Sequence, residues 1–456
     1  MKRIIKTIAG FLPALALLGG CADGFGEKLL GPDRTVAPES DADQTVVFLN
    51  MTDAGQDGSP VTAEPVDVIF SSIQPIGQTR DITMSARMAD GRSRQDCNFT
   101  VRMLDDETVL REYEEEYGYE VEQLPSAAFI LLTDIISMES GGQAAVSQSV
   151  LRLINSESLS EGVDYLAVLE LCPEAGYMID GTNSMLYLHV KRAGGSGGLV
   201  GAADFRPMAG DNVLDADGVD LGINRNNLYY TLTTDDFTGL SACTIEGLIY
   251  VDEFKAESER SNGTLAGISS LWGYEAHGVK VDMLLRFGDA ALSPDRLQLI
   301  VSDEKYLIDY TFRPRQWYHI AMTYDGSNLR FYVNGRERMS VGMTGTLNLS
   351  TGGSFHLGQT YNQWRGFNGM MSEVRVWNVA RSSKELRDNM LWLEDAASDG
   401  LLAYWKMNEA MTGSGNTRIA DETGNGNDLT VARQGASGGT VTPVVVINND
   451  IDINIR

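Results

Sequence analysis

Histidine, cysteine and basic residues are scarce in this sequence, and each shortage excludes a kind of function. Only four histidines and four cysteines occur in 456 residues, and no histidines are spaced as ligands of one metal ion. Lys and Arg number 36 against 63 Asp and Glu, which gives a formal net charge of -27. Because nucleic acid binding requires clustered basic side chains, the sequence excludes that class of function.

Long apolar runs are absent except at the amino terminus, MKRIIKTIAGFLPALALLGGC. The basic start, the short apolar run and the small residues after it predict a signal peptide over residues 1–20. The segment Leu18-Gly19-Gly20-Cys21 resembles the bacterial lipobox, which implies that Cys21 is lipidated. The alternative is an ordinary secretory signal with an incidental cysteine. Residues 21–44 are acidic and contain Pro and Gly, which predicts a flexible tether.

Three cysteines remain after Cys21, so at most one disulfide can form among them. Cys97 and Cys172 fall in the same predicted domain and are the better candidates for a pair, although spacing alone does not establish it. Three buried thiols, at Cys97, Cys172 and Cys243, are an equally good interpretation.

A chain of 456 residues exceeds what one hydrophobic core normally serves, so two or three domains are expected. Glycine is enriched, at 48 residues, as in turn-rich β architectures. The run KRAGGSGGLVG contains the clearest linker in the sequence. We therefore place the boundary between two domains at residues 193–201.

Residues 45–192 contain short apolar or alternating runs such as VDVIF, NFTVRML and YLAVLEL, which predict a small β-sandwich. One helix interrupts them at DDETVLREYEEEYGYE, where Val109, Tyr113 and Tyr117 share a face. The segments EEEYGYEVEQLPSAAF and LSEGVDYLAVLEL resemble the immunoglobulin-like amino-terminal domain of many Bacteroidetes surface lipoproteins. That resemblance implies an outer-membrane lipoprotein, at the cell surface, whose second domain binds or cleaves glycans.

Residues 202–456 show strand patterns at regular intervals, which predict a two-sheet antiparallel jelly roll. In WYHIAMTYDGSNLRFYVNGRE, one face carries Leu329, Phe331 and Val333, and Asn334-Gly335 favours a tight hairpin turn. This stretch, and GFNGMMSEVRVWNVARSSKELRDN after it, resemble the laminin G-like, concanavalin A-type family, which buries the tryptophans at 317, 377 and 405. The predicted fold is all-β: an immunoglobulin-like β-sandwich followed by a concanavalin A-like (laminin G-like) jelly-roll sandwich.

Two loops of the second domain combine aromatic rings with polar side chains, as carbohydrate sites do, because a pyranose stacks its C–H face on a ring. The candidate residues are Trp272, Tyr274 and His277 in SSLWGYEAHG, and Gln359, Tyr361, Asn362, Trp364 and Arg365 in GQTYNQWRGFNG. The resemblance implies that the partner is a glycan, either a polysaccharide or a glycoprotein. The alternative is that these aromatics close the ends of the sandwich or pack on the first domain.

Calcium is common in the family that the second domain resembles, and it requires oxygen ligands. The candidate ligands are Asp215, Asp217 and Asp220 in LDADGVDLG, and Asp421 and Asn427 in ADETGNGND. Ordinary turns are the alternative interpretation of both segments.

The glycosidases that resemble this sandwich carry E-x-D-x-x-E on one strand, because retaining hydrolysis requires an acid and a nucleophile about 5 Å apart. That spacing does not occur in this sequence. The sequence therefore predicts carbohydrate binding without catalysis. A protein-binding adhesion module and an unrecognised glycoside hydrolase are the two alternatives.

Overall fold

The computed structural model describes residues 44–50, 65–70, 74–117, 120–172, 174–180, 184–192, 201–207, 212–214, 220–224, 228–255, 260–261, 265–289, 291–361, 363–393, 395–433, 443–449, 451, 453 and 455. The predicted signal peptide, Cys21, nearly all of the predicted tether and most of the predicted linker lie outside these residues. So do Asp215, Asp217 and Asn362 among the candidate site residues.

The first half of the chain folds into two facing β-sheets, here called the N-terminal sandwich (residues 44–192). One sheet has the strand order β10-β1-β3-β8-β6, and the other has β2-β11-β9-β4-β7 with β5 beside β9. The strands are β1 Gln44–Asn50, β2 Val66–Phe70, β3 Thr79–Met88, β4 Cys97–Leu104, β5 Glu122–Gln123, β6 Phe129–Leu131, β7 Ile135–Met138, β8 Gln148–Ile154, β9 Asp164–Cys172, β10 Tyr177–Ile179 and β11 Met185–Arg192. A single apolar core lies between the sheets, because alternate side chains of both point inward.

One helix, α1 Glu107–Tyr117, crosses the outer face of the second sheet. It begins after Asp106, whose Oδ1 accepts the Thr108 backbone N–H at 2.8 Å, as an N-cap does. Val109 and Tyr113 are buried against Leu166 of β9, so the predicted apolar face of the helix is confirmed.

The second half folds into a larger sandwich of two eight-stranded antiparallel sheets, here called the jelly roll (residues 201–455). We name the sheets by their order: the front sheet is β22-β21-β20-β19-β26-β15-β30-β29, and the back sheet is β25-β24-β23-β16-β27-β12-β31 with β28 beside β27. The back strands are β12 Ala202–Asp204, β16 Cys243–Val251, β23 Trp317–Tyr324, β24 Asn328–Val333, β25 Arg336–Gly342, β27 Gly369–Trp377, β28 Leu401–Trp405 and β31 Ile447–Asn448. The front strands are β15 Leu228–Thr233, β19 Ser269–Gly273, β20 Met283–Asp289, β21 Leu292–Val301, β22 Glu304–Thr311, β26 Ser354–Leu357, β29 Arg418–Ile419 and β30 Leu429–Arg433.

Two hairpins and one further helix complete the jelly roll. The hairpins are formed by β13 Asn212–Leu214 with β14 Asp220–Asn224, and by β17 Arg260–Ser261 with β18 Leu265–Ala266. The helix, α2 Ser383–Asp388, begins with the capping box between Ser382 and Glu385. The all-β fold and the concanavalin A-like jelly roll predicted from the sequence are confirmed.

The sequence ribbon 317–337 forms β23, β24 and the start of β25, inside the back sheet. Leu329, Phe331 and Val333 all point into the core between the sheets, as their alternation predicts. The turn uses Asn334 and Gly335 with φ of 52° and 75°, which is the geometry that tight hairpins require. The ribbon therefore forms part of the back sheet and of the core.

A buried group of charged side chains joins the two sandwiches, and we call it the junction cluster. Arg336 Nη2 of the jelly roll donates to Asp67 Oδ1 of the N-terminal sandwich at 3.0 Å. Lys191 Nζ of the N-terminal sandwich donates to Asp388 Oδ1 of the jelly roll at 2.5 Å. The other members are His189, Asp164 and Arg387. A buried ion pair of this kind is costly to break, because it leaves one charge without its partner.

The described cysteines form no disulfide, and Cys97, Cys172 and Cys243 are all buried. Cys172 lies opposite Thr100 on the neighbouring strand, so it is displaced from Cys97 by three residues, or about 10 Å along the strand. That separation exceeds the reach of a disulfide, which favours the interpretation as buried thiols. Among the residues that the structure describes, no helix has both the length and the apolar character needed to span a bilayer.

Candidate functional site

The two predicted loops lie side by side on the outer face of the front sheet. The Tyr361 backbone N–H donates to the Glu275 carbonyl at 3.0 Å, and the Arg365 guanidinium forms an ion pair with the Glu275 carboxylate. These contacts bring together the loop after β19 and the loop after β26. We call the resulting surface the aromatic rim, and its members are Tyr274, Glu275, His277, Tyr361, Trp364 and Arg365.

Tyr361 is the most exposed aromatic residue in the described part of the chain, with 39% of its surface accessible. The Arg365 guanidinium carbon lies 4.4 Å from the centre of its ring, which holds one ring face by a cation–π contact. The Tyr361 hydroxyl lies 3.5 Å from Nδ1 of the exposed His277. Tyr361 has a φ of 67°, in the left-handed region that non-glycine residues seldom adopt. The ring is thus held in one orientation at the surface.

Arg365 itself is only 4% exposed, so it supports the rim from below. Burial lowers its pKa from the usual arginine value, and the charge of Glu275 opposes that effect. A second buried arginine, Arg286 of β20, lies 3.4 Å from Glu275 and donates to Asp289 Oδ2 at 2.9 Å. The rim therefore stands on an alternating network of arginines and carboxylates, which fixes its geometry.

Tyr274 is held at the rim by the imidazole of His356 on β26. The ring centroids of Tyr274 and His356 lie 4.8 Å apart in an edge-on arrangement, and Tyr229 of β15 covers the other side at 5.2 Å. Burial lowers the pKa of His356 to about 4, although its hydrogen bond with the Gln359 carbonyl opposes the shift. His356 is consequently neutral near pH 7, and it acts as a packing element between two tyrosines.

The prediction that Trp272 offers its ring to a sugar is wrong, because Trp272 is completely buried. It belongs to β19, not to a loop, and its ring lies in the core between the two sheets. A β-bulge between Ser270 and Trp272 shifts the alternation, so that Leu271 and Trp272 both point inward. Trp272 stabilises the sandwich beneath the rim.

Gln359 does not belong to the exposed surface either, because it is only 2% exposed. Within the described residues, both polar atoms of its side-chain amide lack a hydrogen-bond partner. Trp364 lies at the surface and is partly exposed, and its carbonyl accepts a hydrogen bond from Lys255 Nζ. Four of the predicted residues, Tyr274, His277, Tyr361 and Trp364, thus remain able to contact a ligand.

The candidate calcium ligands Asp421 and Asn427 are engaged in a tight turn. The Asp421 carboxylate accepts the backbone N–H groups of Tyr404, Thr423 and Asn427, all at 3.1 Å. The Asn427 amide donates to Asp236 Oδ2 at 3.2 Å and to the Leu402 carbonyl at 3.0 Å. Asp220 lies at the start of β14. No group of three or more His, Cys, Asp or Glu side chains within the described ranges is arranged to hold a metal ion, and calcium binding stays a prediction.

Two buried glutamates in the back sheet were not identified from the sequence. Glu246 accepts hydrogen bonds from His319 at 3.0 Å and from the Trp377 indole at 2.8 Å, and Glu373 accepts one from Arg375 at 2.7 Å. Burial raises the pKa of Glu373, with Arg375 opposing it. Burial also acts to raise the pKa of Glu246, but Arg375 and His319 outweigh it, so the pKa of Glu246 is lowered. Both carboxylates are buried and hydrogen-bonded to side chains of the same sheet, so they form a polar network within it.

The fold and the rim define a concanavalin A-like sandwich with a polar and aromatic surface on its front sheet. Residues 224–387 match a family model described as the concanavalin A-like lectin/glucanases superfamily. That segment includes every residue of the aromatic rim. No curated protein sequence matches the chain significantly.

Several solved structures are similar to this chain. A proposed carbohydrate-binding protein from Bacteroides ovatus is 26% identical with a TM-score of 0.42, over 86% of this chain and 98% of that chain. A heptameric SAP-like pentraxin from Limulus polyphemus is 14% identical with a TM-score of 0.30, over 42% of this chain and 82% of that chain. Domain 4 of an extracellular arabinanase from Geobacillus stearothermophilus, in complex with arabinotriose, is 17% identical with a TM-score of 0.24, over 33% of this chain and 67% of that chain.

Proposed function

We propose that this protein binds carbohydrate, without cleaving it, at the aromatic rim of its jelly roll. The observation that carries the proposal is Tyr361, an exposed ring held by Arg365 beside His277. An aromatic face fixed before the ligand arrives stacks on a pyranose at little entropic cost. The match of residues 224–387 to the concanavalin A-like lectin/glucanase family supports the same class of ligand.

The surroundings of Tyr361 supply hydrogen-bonding groups for the hydroxyls of a sugar. His277 is exposed, and the carboxylate of Glu275 is partly exposed between the two loops. Trp364 offers a second, partly exposed ring from the same loop as Tyr361. Rings flanked by a few polar groups are typical of carbohydrate sites, because the rings take the C–H face and the polar groups select the hydroxyls.

The carboxylates in and beneath the aromatic rim support binding without hydrolysis. Glu275 is paired with Arg365 and Arg286, and Asp289 is paired with Arg286 and Lys305. Hydrolysis requires one carboxyl group as proton donor and a second carboxylate free to act on the sugar. Carboxylates held by arginine and lysine instead organise the surface around Tyr361.

We propose that the protein is attached to the outer membrane through a lipid on Cys21 and faces outward from the cell. The N-terminal sandwich then holds the jelly roll away from the membrane, because the junction cluster fixes one sandwich against the other. Many copies on one surface bind a polysaccharide with high avidity even when each site is weak.

A glycan array with the chain 21–456 tests the proposal, and it is run with and without a chelator. Binding to at least one glycan is expected for the wild type, and Tyr361→Ala and Trp364→Ala are expected to lose it. Leu307→Ala is the control, because Leu307 is exposed on β22 of the same sheet but away from the rim. If no glycan binds, or if binding is indifferent to both rim substitutions, the proposed site is wrong.

Protein adhesion is a second candidate function, and one observation favours it. The edge strands β6 and β7 of the N-terminal sandwich, with the segment between them, carry four exposed aliphatic side chains, which we call the aliphatic ridge: Ile130, Leu131, Leu132 and Ile135. Contiguous exposed apolar side chains on edge strands are common at protein interfaces. Comparing the sedimentation of the wild type with Leu131→Lys shows whether the ridge mediates association, and identical monomeric behaviour at high concentration counts against this function.

A further inference from the structure

A cavity of about 280 Å³ opens at the opposite end of the front sheet from β22, and the proposed function does not use it. Its walls come from residues 406–412, which follow β28 of the back sheet, and from Ile419, Ala420 and Glu422 at and just after the end of β29 of the front sheet. Strand β29 is the edge strand of the front sheet, and two strands separate it from β26. The cavity is therefore a separate place from the aromatic rim.

The lining of this cavity is divided between apolar and polar groups. The apolar part includes Ala410 and Met411, which are partly exposed, and Met407 and Ile419 lie beneath them in the core between the sheets. The polar part consists of Lys406, Asn408, Glu409, Thr412 and Glu422. Ligand pockets usually have a volume of about 300–1,000 Å³, so this cavity suits a ligand of one or two rings. A mainly apolar molecule would leave the polar groups without partners.

The charges of the cavity lining restrict the class of ligand further. Among the described residues of the lining, Lys406 is the one cation, against the two carboxylates of Glu409 and Glu422. Its ammonium lies 3.3 Å from Glu422 Oε2 and within 6 Å of the ring centres of Trp392 and Tyr404, so it already has partners of its own. An anionic ligand meets an excess of negative charge here. A neutral polyol fits, because hydroxyls both donate and accept and the lining offers both roles.

The cavity is held open by backbone contacts on both sides. The Met411 N–H donates to the Arg418 carbonyl at 2.8 Å, and the Glu422 N–H donates to the Tyr404 carbonyl at 2.9 Å. The Lys406 carbonyl accepts the Ser372 hydroxyl of β27 at 3.2 Å. These bonds tie the two walls to the two sheets, so a ligand does not have to pay for ordering them.

We infer that this cavity is a second saccharide site, which takes a single neutral hexose or N-acetylhexosamine unit. The inference rests on the proposed function for its class of ligand, but it uses none of the residues of the rim. The terminal sugar of a glycan enters the cavity while the rim holds an internal part of the same glycan, or the two sites bind different glycans. In either case two weak sites on one domain raise the avidity for a branched or repeating glycan.

Methionine methyl NMR tests the inference, because Met411 lines the cavity and is partly exposed, whereas Met407 lies beneath it and is fully buried in the core. The chain 21–456 is labelled at the methionine ε-methyl groups, and the two signals are assigned with Met407→Leu and Met411→Leu. Glucose, galactose, mannose and N-acetylglucosamine are each titrated to about 50 mM, which saturates a site with a Kd in the low millimolar range. At least one sugar is expected to shift the Met411 methyl signal in a saturable way.

Three variants decide the interpretation. Glu409→Gln replaces one acceptor oxygen of this exposed carboxylate with an NH2 donor and removes its charge, and it is expected to weaken the titration about fivefold or more. Glu304→Gln, on the opposite edge strand β22, and Tyr361→Ala, at the rim, are expected to leave it unchanged. The inference is overturned if no sugar shifts the Met411 methyl signal, or if Tyr361→Ala abolishes the shift. If no sugar titrates but the glycan array is positive, the cavity site is refuted and the rim site stands. If a sugar titrates but the array is unaffected by the rim substitutions, the rim site is refuted and the cavity site stands.

Discussion

Replacing Arg336 by methionine at the junction of the two sandwiches is expected to destabilise the protein by about 3 kcal/mol. Arg336 and Asp67 come from different sandwiches, their side chains are each only 9% exposed, and Nη2 lies 3.0 Å from Oδ1. Burial alone raises the pKa of Asp67, but the charge of Arg336 and the hydrogen bond from His189 outweigh it, and the pKa is lowered. Methionine keeps the length of the side chain and removes the charge.

The size of the expected stability loss depends on the partners that Asp67 keeps in the Arg336→Met variant. Removing one partner of a buried ion pair costs about 3–5 kcal/mol, because the other charge stays buried. His189 Nδ1 still lies 3.0 Å from the same Asp67 oxygen, which places the expected loss at the lower end of that range. In the double variant Asp67→Asn with Arg336→Met, neither charge is left alone. Its loss is therefore expected to be smaller than the sum of the single losses by about 1–3 kcal/mol.

Urea denaturation followed by two probes measures this effect. All six tryptophans lie between residues 272 and 405, so their fluorescence reports on the jelly roll, while far-UV circular dichroism reports on both sandwiches. Arg338→Met is the control, because Arg338 lies on the same strand and its guanidinium contacts Tyr310 at 5.0 Å; a loss of about 1 kcal/mol or less is expected for it. A loss below about 1 kcal/mol for Arg336→Met, or additivity in the double variant, would refute the reasoning.

Three further predictions concern single residues. The pKa of His356 is about 4 in the fold against about 6.5 unfolded. The neutral form of His356 is therefore favoured in the folded state. The free energy of unfolding is expected to fall by up to about 3 kcal/mol as the pH drops from 6.5 to 4, because the unfolded state then binds a proton that the folded state does not. Urea denaturation measures this, and a His356→Leu variant whose free energy of unfolding falls equally with pH would contradict it. Trp272→Ala is expected to cost about 3–5 kcal/mol in urea denaturation, because it empties a core position, and a loss under 1 kcal/mol would contradict its burial. Asp421→Ala is expected to lower thermal stability even in the presence of a chelator, because its carboxylate accepts three backbone N–H groups; an unchanged stability in chelator would contradict this, and a wild-type stability that falls when chelator is added would show a calcium site.

The architecture of the jelly roll could be predicted from local pattern because it depends on short-range rules. Leu329, Phe331 and Val333 alternate with polar neighbours, so their shared face follows from the two-residue period of a strand. Asn334-Gly335 and the Ser382–Glu385 capping box are likewise determined within a few residues. Such features need no knowledge of the distant chain.

The candidate site was predicted less well, for reasons visible at particular residues. Trp272 was assigned to the surface because Gly273 and Gly278 suggested a loop, and the bulge that turns its ring inward depends on strand register, which the sequence does not display. The contact between Arg336 and Asp67 spans 269 residues, so no local pattern predicts it. Nor does the sequence show that Arg365 would lie beneath Tyr361 and hold its ring.

The affinity of the rim for its glycan, compared between the wild type and Tyr361→Ala, tests the central claim most directly. Isothermal titration calorimetry with a glycan identified on the array is expected to show a loss of at least about tenfold for Tyr361→Ala, since truncating an aromatic residue on which binding depends costs about 2 kcal/mol or more. Tyr361→Phe keeps the ring and is expected to retain most of the affinity. Equal affinity for the wild type and Tyr361→Ala, with both proteins folded, would contradict the account.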